Sequence, residues 1–387
     1  MAMEVLRRYF DFNATTPLSA AAQGAWIGAV GRHWQNPSSL YRDAGLASQA
    51  LEMARERMGD VLSCEPERLV FTGGATEGNN LVFASLARRM GEGDRVAISA
   101  VEHPSVREAA RHWLGGGRVD ELPVSDEGVV EVAEVARWLE ENRGRAALVS
   151  LMAANNESGA LQPWWEAAAL CREEGVRFHC DAAQWVGKMG AERLGDCDLV
   201  SGSGHKFGGP KGVGFVVLPE GEEGRWRLLF GGPQEEGRRA GTEDYAGVES
   251  MVTALEACAK AGSPEGRDVF EGRMKEIFPE VRVIGGGGKR LWNTSLLVMP
   301  RHSNLKWLTR LSQAGFAIST GSACSSGKEG ASVVVRALGA TEEELRRVVR
   351  VSGGWVHEVE DWVRLAEAFE QVGADLDAGR SGAVAGW

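Results

Sequence analysis

The sequence between about residue 50 and residue 220 alternates short apolar runs with stretches of helical periodicity. Strands connected in this way pair in parallel, because the helix between them returns the chain to the same end of the sheet. The pattern therefore predicts an α/β fold with a mostly parallel sheet wrapped by helices. The predicted strands of this region are 68–71, 95–99, 146–152, 176–180, 198–201 and 213–218.

The last third of the chain predicts a second, smaller unit. A chain of 387 residues exceeds what one hydrophobic core usually serves, so two domains are expected. A helical run from 243 to about 261 is followed by Gly262-Ser-Pro264, which we interpret as a hinge between domains. Beyond the hinge, the sequence predicts a strand at 294–298, a helix at 341–349 and a last strand at 350–352.

Composition excludes several classes of protein. The formal net charge is -11 without a basic tail, which argues against a nucleic-acid ligand, since phosphate neutralisation requires clustered Lys and Arg. Six scattered cysteines without a C-x-x-C pair favour neither a disulfide framework nor a structural zinc site. No secretory signal and no apolar run of membrane-spanning length is visible, so we expect a cytoplasmic protein that does not bind membranes.

Polar residues gather where the predicted strands end. Because the carboxyl ends of parallel strands meet at one edge of a sheet, ligands of open parallel sheets bind there. One polar loop carries little information, but five in register predict one shared site. These loops are 72–76, 102–104, 155–157, 181–184 and 203–206.

Asp181 and Lys206 are the most informative pair in these loops. A pyridoxal 5'-phosphate enzyme uses a lysine to form a Schiff base, and often an acid that keeps the pyridine nitrogen protonated so that the ring acts as an electron sink. An Asp at one strand end and a Lys just beyond the next strand supply both groups to one face. Taken alone, the two are also compatible with unrelated surface residues.

The turn Gly73-Gly-Ala-Thr76 predicts a phosphate-binding site for the same cofactor. Its small residues let backbone N–H groups approach an anion, and the helix that follows points its positive end toward it. Glycine turns between a strand and a helix are common, so this signal alone is weak. The turn lacks the lysine of a nucleoside triphosphate loop and the G-x-G-x-x-G pattern of a nicotinamide dehydrogenase.

Four further polar residues are candidates for the same site. His103, between a strand and a proline-started helix, either stacks on a flat ring and shuttles a proton or simply caps the helix. Asn155 and Gln184 suit a phenolic oxygen, but isolated loop amides also form turns. Arg350 begins a late strand and could bind a substrate carboxylate with its planar guanidinium, although most arginines are surface residues.

Cys324 differs from the other cysteines. It lies in a stretch from Ser319 to Gly327 without a large side chain, so its thiol is expected to be accessible as a nucleophile or sulfur carrier. On the loop alone, an incidental cysteine in a turn is equally compatible, and a cofactor site nearby favours the functional interpretation. The remaining thiols are predicted to be small core residues: Cys64, Cys171, Cys180, Cys197 and Cys258.

The collinear order of these motifs resembles the class V, fold-type I pyridoxal phosphate enzymes. The match runs from about residue 9 to residue 352, which is nearly the whole chain. The motifs that carry this resemblance lie at 13–17, 36–39, 71–80 and 102–104. Motifs at 155–157, 181–184, 203–206, 239–242 and 321–324 are similar, more narrowly, to those of the cysteine desulfurases.

The resemblance implies a fold and a set of residue roles. It implies a homodimer with a large cofactor-binding domain, 15–260, and a small domain formed by 1–14 and 261–387. Lys206 would form the Schiff base. The other implied roles are Asp181 on the pyridine nitrogen, His103 stacked on the ring, Ala75, Thr76, Ser203, His205 and Thr242 of the partner subunit on the phosphate, Asn155 and Gln184 toward the ring oxygen and substrate, Arg350 on the substrate carboxylate and Cys324 on the sulfur.

The implied activity is conversion of L-cysteine to L-alanine, with transfer of sulfur to Cys324 as a persulfide. The persulfide would pass to a sulfur-acceptor protein such as an iron–sulfur scaffold, and the acidic runs 220–223 and 342–344 are either solvated faces or docking sites for a basic acceptor. Alternatives with the same cofactor are a class V aminotransferase and a selenocysteine or cysteine-type lyase. A cofactor-free assembly protein and a nicotinamide dehydrogenase are the alternatives from other classes.

Several positions depart from the family pattern. Phe12 stands where Asn or Ala is usual, Tyr41 where His is frequent, and Gly73 where Ser is common. The loop 231–237 contains a proline and an extra acid, and Gly353-Gly-Trp355 is unusual after the last Arg-x-Ser. Because the departures spare the implied lysine, aspartate and cysteine, they leave the chemistry intact. They favour a specialised relative over the housekeeping iron–sulfur enzyme.

Overall fold

A seven-stranded sheet forms the centre of the larger part of the molecule. The computed structural model describes residues 2–258, 262–320 and 332–379. The strands lie in the order β1-β7-β6-β5-β4-β2-β3. Their bounds are β1 Leu69–Thr72, β2 Arg95–Ser99, β3 Val119–Leu122, β4 Ala146–Ser150, β5 Arg177–Asp181, β6 Leu199–Ser203 and β7 Gly214–Val217.

The sheet is mostly parallel, as predicted. Strands β2 to β6 pair in parallel, and only β7 runs antiparallel to both of its neighbours, β1 and β6, among the described strands. All six predicted strands of this region exist. Strand β3 was not predicted, because Asp120 and Glu121 interrupt its apolar pattern. Charged side chains of this kind are typical of an edge strand, where they discourage pairing with another sheet.

Helices cover both faces of this sheet. Alternate residues of a strand point to opposite faces, so Val70 packs under α4 and α5, whereas Leu69 and Phe71 belong to the core under α3, α7 and α8. The bounds of the helices are α1 Ala2–Arg7, α2 Ala20–Arg32, α3 Arg42–Leu62, α4 Ala75–Ala87, α5 Pro104–Leu114, α6 Val132–Glu141, α7 Trp164–Glu173, α8 Tyr245–Ala257, α9 Glu265–Ile277, α10 Asn304–Gln313, α11 Val333–Ala337, α12 Glu342–Leu345 and α13 Val359–Asp377.

A second sheet and its own core lie in the last third of the chain. The antiparallel strands β8 Arg282–Val283, β9 Thr294–Val298 and β10 Val348–Ser352 pair in the order β10-β9-β8. Helices α9, α10 and α13 pack on this sheet, and Phe10 from the N-terminal segment is buried in the same cluster. This separate core supports two domains with the N-terminus in the smaller one, although the exact domain bounds stay a prediction.

The helix predicted at 341–349 is wrong in its second half. Helix α12 ends at Leu345, and Val348 and Val349 already pair with β9. Both valines are buried, and β-branched side chains pack well on such a pleated surface. The last strand is therefore longer than its predicted bounds of 350–352.

Two of the unusual positions in the sequence contact each other. The ring of Phe12 packs edge-on against Trp355, with 5.2 Å between ring centroids. Gly354 leaves the room for this ring, because a Cβ atom added there would lie 2.0 Å from Phe12. The unusual residues at position 12 and at positions 354–355 are therefore coupled, because they pack against each other. In the part of the chain that the structure describes, no helix is long and apolar enough to span a membrane.

Candidate active site

One cavity of about 520 Å³ lies at the carboxyl ends of the parallel strands. Strand β7, which runs antiparallel, contributes the turn before its first residue to the same edge. The predicted loops at the strand ends therefore line one cavity, as expected for one shared site. Nine of the predicted site residues line the cavity: Ala75, Thr76, His103, Asp181, Gln184, Ser203, His205, Lys206 and Arg350.

The turn between β1 and α4 forms a cradle for an anion. Helix α4 begins at Ala75, and no side chain caps its N-terminus, so its first N–H groups point into the cavity edge. Gly74 has a φ of +140°, and a Cβ atom there would lie 3.3 Å from the Ser203 hydroxyl. Backbone donors, a hydroxyl and the positive end of a helix of 13 residues are the donor set that binds phosphate.

Asp181 is a buried carboxylate at the end of β5. Its Oδ1 accepts a hydrogen bond from the Ala183 N–H at 3.0 Å, and its Oδ2 accepts one from the Asn79 side chain at 2.9 Å. These donors stabilise the ionised carboxylate. A carboxylate held in this way can keep a ring nitrogen protonated, as the sequence predicted.

His103 caps the N-terminus of α5, so its capping role is confirmed. Its Nδ1 accepts a hydrogen bond from the Ser105 N–H at 3.1 Å. Burial lowers the pKa of His103, nearby Asp181 opposes this and Lys206 adds to it. The neutral ring also lines the cavity, so capping and a role in the site are compatible here.

Lys206 follows β6 in a short turn and reaches the N-terminal segment. Its Nζ donates to the carbonyl oxygens of Asn13 at 2.7 Å and Ala14 at 2.9 Å. The adjacent His205 contacts the Thr15 hydroxyl at 3.1 Å through Nδ1. Burial, followed by the charge of Lys206, lowers the pKa of His205 to about 4, so its ring is neutral at pH 7.

Gln184 has a partner that sequence reasoning missed. Its Oε1 accepts a hydrogen bond from the Lys188 amine, and its Nε2 donates to the Asn13 carbonyl at 2.9 Å. Lys188 is only 5 % exposed and also donates to the Asn13 Oδ1 at 2.8 Å. Burial lowers the pKa of Lys188 well below its usual value, and the charges of Lys206 and Arg350 add to this. The sequence signal that could have indicated this contact is the position of Lys188, four residues after Gln184.

Asn155 lies beneath the cavity and does not line it. Its Oδ1 accepts the N–H groups of Glu157 and Ser158 at 2.9 Å each, and its Nδ2 donates to the Val101 carbonyl at 3.0 Å. The side chain is fully buried and holds the loop after β4. The turn-forming interpretation of this amide is therefore borne out by its contacts, while its implied contact with a ring stays a prediction.

Arg350 enters the cavity from the small domain. It lies in the middle of β10, is almost fully buried, and donates through Nη1 to the Asn156 carbonyl at 2.9 Å. Its Nη2 donates to Asp11 Oδ1 at 2.7 Å. Asp11 is a second residue that sequence reasoning missed. Burial raises the pKa of this carboxyl, and the contact with Arg350 opposes the increase.

Thr242 and Cys324 are the remaining predicted site residues. Thr242 is exposed on the loop before α8, outside the cavity. Cys324 lies outside the described residues. The other five cysteines are free thiols, of which Cys171, Cys180 and Cys197 are buried as predicted and Cys64 and Cys258 are half-buried.

The donor set fits the cofactor predicted from the sequence. An anion cradle, a buried carboxylate, a neutral histidine and a lysine amine meet in one cavity, and pyridoxal 5'-phosphate requires groups of these kinds. No group of three or more His, Cys, Asp or Glu side chains that could hold a metal ion occurs among residues 2–258, 262–320 and 332–379.

Comparison with known proteins agrees with this chemistry. The model of the class-V aminotransferase family matches residues 8–365. A cysteine desulfurase of Klebsiella pneumoniae is 38% identical over 359 residues, which cover 89% of this chain and 87% of the relative. A solved NifS-like protein superposes with a TM-score of 0.85 at 27% identity, covering 95% of this chain and 99% of that chain. A structure described as SspA in complex with cysteine has a TM-score of 0.78 at 28% identity, covering 89% and 98%. The chain therefore belongs to the class-V aminotransferase family and, within it, to the cysteine desulfurases.

Proposed function

We propose that this cysteine desulfurase binds pyridoxal 5'-phosphate in the cavity at the sheet edge and uses it to take sulfur from L-cysteine, leaving L-alanine. The observation that carries the proposal is the meeting of Asp181, Lys206 and the α4 cradle in one cavity. Each of these groups alone is common. Together they match the charge and shape of a phosphorylated pyridine aldehyde.

The cofactor would be held by groups from three strand ends. The N–H groups of Ala75 and Thr76, with the side chains of Ser203 and His205, would bind the phosphate. Asp181 would face the pyridine nitrogen, and Lys206 would hold the cofactor covalently. The Nε2 of Gln184, whose Oε1 is engaged by the lysine amine behind it, would present an N–H to the phenolic oxygen. When bound, the cofactor supplies an electron sink that acidifies the Cα proton of the amino acid.

The substrate would be bound and deprotonated by the chain's own side chains. Arg350 would hold the carboxylate through its guanidinium, since Asp11 and the Asn156 carbonyl already fix the orientation of that group. Lys206, once released by the substrate amine, would take the Cα proton. His103 is neutral and lines the same cavity, so it would carry a proton within reach of the substrate.

Cys324 would accept the sulfur. Its thiolate would attack the substrate sulfur and form an S–S bond, while the electron pair of the broken C–S bond stays on carbon and takes a proton. The substrate carbon is thereby reduced to the methyl group of alanine, and the sulfur is oxidised to the persulfide level. Among the described cysteines, burial raises the pKa of Cys64 and Cys258 to about 11 and of Cys171 to about 12, so these thiols are poor nucleophiles at neutral pH.

The experiment is a reaction with L-cysteine and no keto acid. We expect the purified protein to absorb as a pyridoxal enzyme, and to release alanine and sulfane sulfur in equal amounts. Cys324→Ala should keep the absorption and lose sulfur transfer, whereas Lys206→Ala should lose both the borohydride-trapped adduct and activity. Alanine formation that requires a keto acid would instead identify an aminotransferase, and wild-type turnover by Cys324→Ala would remove that residue from the mechanism.

A homodimer would cover the apolar surface of α2 and the segment that follows it. Trp34 is 74% exposed and Leu40 fully so, and Trp26, Ile27 and Val30 are exposed beside them on α2. A monomer rarely leaves a contiguous apolar surface of this kind in water. In such a dimer Thr242, which is exposed here, would reach the phosphate of the partner's cofactor. Light scattering should give twice the chain mass, and Ile27→Asp should give a monomer; an unchanged dimer would exclude this surface.

The persulfide would be delivered to a sulfur-acceptor protein, for example an iron–sulfur scaffold, in the cytoplasm. Free thiols at all five described cysteines are what a reducing compartment produces. The acidic runs are engaged within the chain: Glu222 pairs with Arg89 and Arg177, and Glu344 with Arg282. These contacts support solvated faces rather than a docking site for a basic acceptor. Charge reversal at Glu342, which should leave sulfur delivery unchanged, tests this.

A further inference from the structure

Asn79 lies at the centre of a buried hydrogen-bond network that the proposed mechanism does not use. It is in the second turn of α4 and is fully buried. Its Nδ2 donates to Asp181 Oδ2 at 2.9 Å and to the Ser105 hydroxyl at 2.8 Å. Its Oδ1 accepts from the Ser201 hydroxyl at 2.5 Å. One amide group thus contacts the two segments that carry Asp181 and His103.

The network continues in both directions from Asn79. Toward the cavity, the Ser105 hydroxyl lies 2.8 Å from His103 Nδ1. Into the sheet, the Ser201 hydroxyl lies 3.2 Å from His179 Nε2, and His179 Nδ1 lies 2.8 Å from the Ser150 hydroxyl. Burial lowers the pKa of His179 to about 4, so this histidine is neutral and carries one ring proton.

The Asn79 amide and the Ser105 N–H together determine the direction of the hydrogen bonds in the network. Both Nδ2 protons of Asn79 are used, so the Ser105 hydroxyl accepts from Asn79. Because His103 Nδ1 already accepts the Ser105 N–H, the Ser105 hydroxyl donates its own proton to that nitrogen. Because Ser201 donates to the Asn79 Oδ1, its oxygen accepts from His179 Nε2–H. His179 Nδ1 then accepts from Ser150. If the Asn79 amide were flipped, its oxygen would face the carboxylate oxygen of Asp181, which is also an acceptor. Its NH₂ group would then face the proton that the Ser201 hydroxyl donates.

We propose that Asn79 is a positioning residue that fixes His103 in the tautomer with its proton on Nε2 and holds Asp181 as an acceptor of hydrogen bonds. The proposal rests on the proposed function, in which these two side chains flank the cofactor ring. Through Ser105, Asn79 leaves His103 Nδ1 no room for a proton. Through its second Nδ2 proton, it stabilises the negative charge that Asp181 needs opposite a protonated ring nitrogen.

Two charged groups from other elements act on His103, and one acidic group precedes it in the chain. Asp181 at the end of β5 favours the imidazolium, and Lys206 after β6 disfavours it. Glu102 precedes His103, and burial together with Asp181 raises the pKa of its carboxyl well above the usual value, which disfavours a negative charge beside the ring. With Asp181 attracting a proton to the ring, the two donors at Nδ1 decide which nitrogen remains protonated.

Two variants separate the branches of the network. Ser105→Ala removes the hydroxyl donor to His103 and leaves the contact between Asn79 and Asp181. Asn79→Leu removes both contacts and keeps the number of side-chain heavy atoms. Ser85→Ala is the matched control, because Ser85 is also fully buried on α4 but bonds to the Arg227 carbonyl away from the cavity.

The first measurement is an NMR titration of His103 in the full chain stripped of cofactor, labelled at histidine Cε1. The signal is assigned by its loss in His103→Gln, among seven histidines. Since a hydrogen bond to Nδ1 stabilises the neutral ring, loss of the Ser105 hydroxyl in Ser105→Ala should raise the midpoint of His103 by about 0.7 pH unit. Asn79→Leu frees that hydroxyl to rotate away from Nδ1, so it should shift the midpoint in the same direction by a smaller amount. Ser85→Ala should leave it unchanged. An unchanged midpoint in folded Ser105→Ala overturns the tautomer assignment.

The second measurement is the affinity for pyridoxal 5'-phosphate. We expect Asn79→Leu to weaken binding about tenfold through Asp181, and Ser105→Ala to leave it within about twofold. Equal weakening in both variants, or none in Asn79→Leu, would contradict the Asp181 branch. If Asn79→Leu does not fold, Ser201→Ala replaces it, since loss of its donor allows the Asn79 amide to flip. A wild-type chain that binds no pyridoxal 5'-phosphate refutes the proposed function, while the titration still decides the tautomer.

Discussion

The two halves of the cavity are built in different ways. The half with the anion cradle, Asp181 and Lys206 comes from the ends of strands β1, β5 and β6 of one sheet. The half with Arg350 combines the N-terminal segment, the loop after β4 and the small domain; for example, the bond between Arg350 and Asp11 joins residues 339 apart in sequence. The first half is set by one sheet, and the second depends on how two domains meet. Substitutions in the half with Arg350 should therefore leave cofactor binding intact.

Replacement of Arg350 is the strongest test of this separation. Arg350→Gln should lower kcat/KM for L-cysteine about a thousandfold, because charged hydrogen bonds to the substrate carboxylate are lost. The absorption of the bound cofactor should remain. Arg346→Gln, at an exposed position on the same segment, is the control for loss of one positive charge. Loss of the cofactor from Arg350→Gln would show that the halves are not separable.

Gly74 tests the cofactor half in the opposite direction. Its φ of +140° is strained for an L-residue, and its Cβ would press on the Ser203 hydroxyl. Gly74→Val should weaken pyridoxal 5'-phosphate binding about thirtyfold, as measured by fluorescence titration, and should also lower the melting temperature because of the backbone strain. Gly73→Ala is the matched control, since its Cβ would meet only the far end of the Glu77 side chain. Equal losses in the two variants would argue against the geometry of the cradle.

Asn13 tests how the domains are joined. Its side chain accepts from Lys188 and Asn293 and donates to Thr294 and the Asn156 carbonyl. Asn13→Ala leaves several buried polar groups without this partner, so it should lower the free energy of unfolding by about 2 to 3 kcal/mol. Denaturant unfolding followed by tryptophan fluorescence measures this. A loss well below 1 kcal/mol would mean that the junction holds without the amide.

Lys188 gives the smallest effect, and it depends on pH. The unfolded chain protonates this amine below its usual pKa of about 10.4, whereas burial lowers the pKa of the amine well below that value in the fold. Between the two pKa values the unfolded state binds more protons, so stability falls as pH falls. Lys188→Met should flatten the dependence of melting temperature on pH between about 10 and about 7. Lys275→Met, on the exposed side of α9, should keep the wild-type dependence of melting temperature on pH. The same dependence in Lys188→Met would contradict a lowered pKa of the Lys188 amine.

The same difference explains what the sequence could predict. Asp181 and Lys206 lie one strand apart, so strand order and the rule that ligands bind at carboxyl ends were enough to bring them together. Asp11, Asn13 and Lys188 act through contacts across a domain junction, and no local periodicity reports such contacts. Asn79 lies 102 residues from Asp181, on a helix whose pattern indicates only its apolar face.

The fold shows a similar limit. Strands with continuous apolar runs were located, whereas β3 was missed because its charges suit an edge. The helix predicted at 341–349 is too long, because the β-branched residues after α12 pair with β9 instead. The resemblance implied that Asn155 contacts the ring, and this contact stays a prediction; the hydrogen bonds that the side chain makes hold the loop beneath the cavity. Position at a strand end therefore identifies candidates and does not decide which way a side chain points.

The contact between Phe12 and Gly354 restricts how this chain can diverge. A side chain at 354 is excluded while the phenyl ring is present, and a smaller residue at 12 would leave a void against Trp355. Neither position can move toward the common family residues by a single substitution without loss of stability. Reversion would require paired changes at sites 342 residues apart in sequence, so these positions should covary among close relatives of this enzyme.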